Sequence, residues 1–139
     1  IDLPSYIISK YGSQALIAGI DSNQFSLDSY CLSRSLLNST STTVKDQLSF
    51  MQSLGVTEIC LNSPFADGSR NGYALNSGTE HLIDYAFDQG FSLIALGGAW
   101  DIDHFVDAAR LGFSGLAAAN CFHYREAYPF PIAILPSLQ

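Results

Sequence analysis

Positive charge is scarce in this 139-residue chain. Six Lys and Arg stand against thirteen Asp and Glu, for a formal charge of −7. The few cations do not cluster. A nucleic-acid backbone needs clustered cations, and so does an anionic lipid surface, so neither is an expected partner. No run of about 18 apolar residues is present to span a membrane. A phosphate-binding Gly-rich P-loop is missing, as are a Gly-x-Ser-x-Gly nucleophile elbow and a Cys-x-x-Cys pair. Cysteine is limited to Cys31, Cys60 and Cys121. They are odd in number and far apart, so buried free thiols are expected rather than a disulfide framework, which suits a reducing cytoplasm. His81, His104 and His123 lack a metal-like spacing and read as structural or surface residues. No metal or redox cofactor is expected. The chain opens on Ile1-Asp2-Leu3-Pro4, with neither Met nor a signal pattern, as if cut from something longer.

What is present is a repeating unit. Hydrophobic residues make up 47% of the chain, enough for the core of one domain over residues 1–139. Apolar runs at 15–20, 58–61, 93–96 and 116–119 read as strands. Between them, the stretches 43–54, 79–89 and 101–111 carry apolar residues on one helical face. Leu54-Gly55-Val56, Gln89-Gly90-Phe91 and Leu111-Gly112-Phe113 each mark a helix stop before a strand. Strand and helix alternating in this way predict right-handed βαβ units and a parallel α/β sheet. Four such units are half of an eight-unit barrel; a four-stranded doubly wound sheet is the other solution. In Glu58-Ile59-Cys60-Leu61-Asn62, the pair Ile59 and Leu61 would face helices, while Glu58, Cys60 and Asn62 would face a barrel interior.

In parallel α/β folds, ligands bind at the carboxyl ends of strands. Asp21 closes the first run, where a carboxylate at the edge of an apolar interior can act as a general acid or base. A turn or N-cap role is the plainer alternative. Glu58 points inward at the start of the second strand and needs either solvent or a cationic partner. The long loop from Asn62 to Tyr73 offers Asp67 as a candidate second acid/base, and Gly68-Ser69 as backbone donors to an anion. Gly97-Gly98 lies directly before a helix, and Ala119-Asn120 follows the last strand. Both suit a phosphate held by N–H groups, which needs no Lys or Arg.

These segments resemble a known family. Tyr11-Gly12-Ser13-Gln14-Ala15 with Gly19-Ile20-Asp21 is similar to the fifth strand of the imidazole glycerol phosphate synthase cyclase subunit. Glu58 to Ser63 and Asp67-Gly68-Ser69-Arg70-Asn71-Gly72-Tyr73 resemble its sixth strand and loop. Ala95-Leu96-Gly97-Gly98-Ala99 and Ala118-Ala119-Asn120-Cys121-Phe122-His123 resemble its seventh and eighth units. The resemblance runs from about Ser9 to Glu126. It implies the C-terminal (βα)4 half of a TIM (βα)8 barrel, and a lyase of histidine biosynthesis that adds ammonia from a glutaminase subunit to a phosphorylated ribonucleotide and closes an imidazole ring. It makes Asp21 the acid/base of this half. It implies a phosphate site at Gly68, Gly98, Ala119 and Asn120, substrate contacts at Ser35 and Asn62, and a position for Glu58 where ammonia enters. The catalytic aspartate of the other half has no counterpart here, so the missing N-terminal half or a second copy of this chain is expected to cover the open interior. Pro64-Phe65-Ala66 departs from the acidic and basic pair usual in the family. Ala-Ala-Asn-x-Phe-His looks closer to homologues that work with an amidotransferase to amidinate a surface-polysaccharide sugar. A half-barrel that only binds phosphate or self-associates is the non-catalytic alternative. The tail from Tyr128 to Gln139 is broken by proline and is not expected to form a long helix.

Overall fold

A computed structural model describes residues 3–33 and 39–123; Ser35 and the proline-broken tail lie outside the described residues. The elements in chain order are α1 (Leu3–Tyr11), a 3₁₀ turn (Ser13–Ala15), β1 (Ile17–Asp21), β2 (Tyr30–Leu32), β3 (Ser39–Thr43), α2 (Val44–Ser53), β4 (Glu58–Asn62), α3 (Thr79–Asp88), β5 (Ser92–Leu96), α4 (Ile102–Leu111), β6 (Gly115–Ala117) and α5 (Asn120–His123).

Four parallel strands lie in the order β1-β4-β5-β6. Their order in space is their order in the chain, and this settles the architecture. Right-handed crossovers between successive neighbours place every connecting helix on the same face. A doubly wound sheet would reverse direction and cover both faces. Burial agrees: Ile20, Ile59, Leu61, Leu93 and Ala95 are buried under the helices, whereas Ile17, Gly19, Glu58, Cys60, Asn62, Ser92, Ile94 and Leu96 on the opposite face are only partly covered or exposed. Ile17 is 52% exposed. This is half of a (βα)8 barrel, with its concave side uncovered.

The helices start and stop for local reasons. Thr43 caps α2, its Oγ1 accepting from Asp46 N–H at 3.1 Å while the Asp46 carboxylate accepts from Thr43 N–H at 3.0 Å. Asp101 caps α4 in the same reciprocal manner: it accepts from His104 N–H at 3.2 Å, and the ring Nδ1 of His104 accepts from Asp101 N–H at 3.5 Å and also from Trp100 N–H at 3.1 Å. His104 is thus structural. The first strand starts two residues later than its apolar run, because Ala15 and Leu16 donate back to Gly12 and Ser13 in the 3₁₀ turn. The last strand ends at Ala117 because the Ala119 carbonyl already accepts from Phe122 and His123 N–H in the turn to α5. Helix α1 and the antiparallel β2–β3 hairpin fall in stretches that the periodicity left unassigned.

Thr79 joins the loops to the core. It is fully buried; its Oγ1 donates to the Phe25 carbonyl at 2.8 Å and accepts from Asn76 N–H at 2.9 Å. Thr79→Val keeps the shape but leaves both backbone groups unpaired. A loss of about 1–3 kcal/mol is expected, read as a lower urea midpoint with an unchanged slope.

Candidate functional site

The parallel register places side chains in layers on the open face. Nearest the carboxyl ends stand Asp21, Asn62, Leu96 and Ala117, each opposite the next. Below them come Gly19, Cys60, Ile94 and Gly115, and at the other end Ile17, Glu58 and Ser92. Asp21 is half-buried at the rim, and Asn62 Nδ2 donates to its Oδ1 at 2.8 Å. That bond joins residues 41 apart in sequence and fixes the rotamer of a carboxylate that faces the open concavity.

The loops converge on this rim. The loop after β4 folds over the glycine turn after β5: Gly72 N–H donates to the Gly98 carbonyl at 3.0 Å. A Cβ on Gly98 would fall on the Gly72 carbonyl oxygen and within 3.0 Å of that of Ala66. Glycine at position 98 is therefore what permits this close loop contact. Gly97 is similarly enclosed, with a Cβ falling 2.6 Å from the Ser63 carbonyl oxygen. Asn120 Nδ2 stands 3.4 Å from Asp67 Oδ1 and 3.5 Å from where a Cβ on Gly68 would be, so Asp67, Gly68 and Asn120 form one group. Ser69 is exposed on the same loop and accepts from Asn71 N–H at 3.2 Å. Ala119 is exposed just before α5. Tyr73, buried against Phe105, donates its hydroxyl to the Ala117 carbonyl at 3.2 Å and ties the loop down onto β6; burial raises its pKa.

The structure thus brings Asp21 and Asn62 together, and Asp67, Gly68 and Asn120 together, on one rim. Glu58 sits alone at the opposite end of its strand and has no ion-pair partner among the described residues. Sequence reasoning missed two features. One is Arg70, whose guanidinium lies 3.9 Å over the ring of Trp100. The other is Phe65, 59% exposed beside a cleft of about 330 Å³ that Asn23, Gln24 and Asn71 also line. The departure of Pro64-Phe65-Ala66 from the pattern of the family that the sequence resembles is the local signal for the second.

All three cysteines are free. Cys31 and Cys121 are buried, whereas Cys60 is only half-buried because it faces the uncovered side of the sheet. Burial first, then the carboxylates of Asp46 and Asp21, push the Cys31 thiol up to about 11; burial, then Asp21, raises Cys60. At neutral pH the thiolate fraction of Cys31 is expected to be roughly a hundredfold below that of an ordinary thiol, with iodoacetamide labelling slowed to match. Labelling at the rate of a free thiol, read by mass spectrometry, would contradict this. No group of three or more His, Cys, Asp or Glu able to hold a metal occurs among the described residues, and no described helix is long and apolar enough to cross a membrane.

Comparison with known proteins places this rim in context. The model of a family described as "Histidine biosynthesis protein" matches residues 1–128. The imidazole glycerol phosphate synthase subunit HisF of Chlorobium phaeobacteroides is 32% identical over 126 residues, 90% of this chain and 49% of that protein. Its namesake in Francisella philomiragia is 34% identical over 130 residues, covering 88% and 48%. That of Sulfolobus acidocaldarius is 33% identical over 122 residues, covering 88% and 47%. The chain spans about half the length of the curated relatives it matches.

Proposed function

This chain belongs to the histidine biosynthesis protein family, and from that premise we propose that residues 1–139 are one domain, the C-terminal half of a cyclase-type barrel. Completed by an N-terminal half, it would take ammonia from a glutaminase partner, add it to a phosphorylated ribonucleotide, and cleave and close the product to imidazole glycerol phosphate. The observation that carries this reading is the Asp21–Asn62 pair, 2.8 Å apart, at the carboxyl rim of an open inner face.

Each residue takes a role from its place. Asp21 is the acid/base: half-buried and oriented by Asn62, it can exchange a proton with a substrate seated in the concavity. Asn62 positions it. The backbone N–H groups around Gly68, Ser69, Gly97, Gly98, Ala119 and Asn120 form the phosphate cradle. Asp67 serves better as the holder of Asn120 than as a second acid/base, because its carboxylate is turned to that side chain. Glu58, at the far end of the inner face, would meet its ionic partners in the other half, where ammonia enters. The open inner face and the edges of β1 and β6, which have no further parallel partner strand among the described residues, call for that half, with a second copy of this chain as the substitute. The solvent-exposed rim and the family membership suit a cytoplasmic biosynthetic enzyme.

The test is to assemble the complete barrel, supply ammonium and the phosphoribulosyl ribonucleotide, and look for an imidazole product. Its appearance supports the reading. A second reading keeps the rim and changes the acceptor to an acetamido sugar amidinated with an amidotransferase partner; the neutral cleft lined by Phe65, Asn23, Gln24 and Asn71 favours it. An aromatic face with amide donors suits a sugar ring. Failure to turn over the ribonucleotide, with saturation transfer from N-acetylglucosamine that Phe65→Ala removes, would favour the second reading. A barrel that binds phosphate but turns over neither would leave the non-catalytic one.

A further inference from the structure

We propose that Arg70, whose guanidinium carbon lies over the ring of Trp100, is the cationic clamp of the rim's anion site and selects a phosphate monoester. This rests on the phosphate reading above and adds the side chain that supplies charge. Among the described residues, Lys10, Lys45 and Arg110 lie on α1, α2 and α4, so Arg70 is the sole Lys or Arg in a loop that follows a strand. It stands between Gly68, which neighbours Asn120, and Gly72, which bonds to Gly98. The loop that carries it is therefore pinned to the two other segments of the cradle. No carboxylate pairs with Arg70 among the described residues. The Trp100 ring holds the guanidinium carbon 3.9 Å from its centre, and a guanidinium held against an aromatic face keeps N–H donors for an anion. A stacked arginine loses little further entropy when it takes an anion through two parallel hydrogen bonds.

Electrostatics give the cation a purpose. The chain carries −7, and the exposed Asp67 is in the cradle itself. A dianion drawn only by backbone N–H groups would meet a repulsive field; one fixed cation at the rim offsets it locally. The backbone of Arg70 is left-handed, at φ 65°, the sole non-glycine residue with positive φ among those described. Glycine adopts that conformation freely, so Arg70→Gly removes the side chain without disturbing the loop path.

Trp100 is the sole tryptophan of the chain and is in direct contact with the proposed clamp, so its emission reports the site. In the complete protein, inorganic phosphate is titrated against the fluorescence difference between the protein and its Trp100→Phe variant. A saturable change is expected, stronger with phosphate than with chloride. Arg70→Gly should weaken phosphate binding by roughly tenfold to a hundredfold, and Arg70→Lys should restore only part of it because the fork is lost. In turnover, Arg70→Gly should raise KM and spare kcat, with an unchanged melting temperature. Unaltered phosphate affinity in Arg70→Gly overturns the role of Arg70 and leaves the cradle intact. A parallel fall of kcat and melting temperature overturns it in favour of a structural stack. Absence of any phosphate binding in the unsubstituted protein, by emission and by calorimetry, overturns the cradle and the clamp together.

Discussion

Asp21→Asn in the completed barrel is expected to lower ammonia-dependent turnover by about 10²- to 10⁴-fold, the range for losing a positioned acid/base, while phosphate affinity stays within twofold of the parent. The substitution suits the geometry. Asn62 Nδ2 donates to Oδ1 of Asp21, and an asparagine can offer its carbonyl oxygen to the same donor, so that bond is kept while the titratable group is lost. The companion is Asn62→Ala, which keeps the carboxylate but frees its rotamer. A smaller fall in kcat, of about tenfold, is expected there from lost orientation. Undiminished turnover in Asp21→Asn would remove Asp21 from the mechanism. Equal losses of turnover and phosphate affinity would make it a structural residue of the rim.

Gly98→Ala is expected to be the most disruptive single-methyl change in the described region. Gly98 has φ 95° and a Cβ there would fall on the Gly72 carbonyl oxygen. Two costs add. The left-handed backbone costs roughly 1–3 kcal/mol for a residue with a side chain, and displacing the loop backbone costs roughly 1–3 kcal/mol more. The Gly72–Gly98 hydrogen bond would be lost with it. Gly90→Ala separates the two contributions: it has a similar φ of 84° with nothing within 4 Å of the new methyl. Urea unfolding of both variants should give a modest loss for Gly90→Ala and a loss at least about 1–3 kcal/mol greater for Gly98→Ala. Equal losses would show that the loop yields freely, and the rim would then be adaptable rather than preformed.

Much of the fold was legible from local pattern. The helical stripes predicted at 43–54, 79–89 and 101–111 appear as Val44–Ser53, Thr79–Asp88 and Ile102–Leu111, and the alternation in Glu58-Ile59-Cys60-Leu61-Asn62 puts Ile59 and Leu61 under the helices as expected. Helix α1 was hidden because Pro4 and a run of mixed polarity gave no clear stripe. The β2–β3 hairpin was hidden because its second strand, Ser39–Thr43, is made wholly of Ser and Thr and has no apolar alternation to read.

By itself, then, the sequence determined the succession of βα units, the helix stops, the inward set of side chains and the aspartate at the end of the first strand. All of these depend on residues within a few positions of one another, where periodicity and turn chemistry act. Only the tertiary structure decided that the four strands lie in chain order and so leave one face bare, that Asn62 holds Asp21, that Gly98 makes room for Gly72, and that Arg70 rests on Trp100. Those contacts join residues 26 to 41 apart. No local spacing encodes them, because each partner's residue type is compatible with many neighbours until the packed sheet selects one.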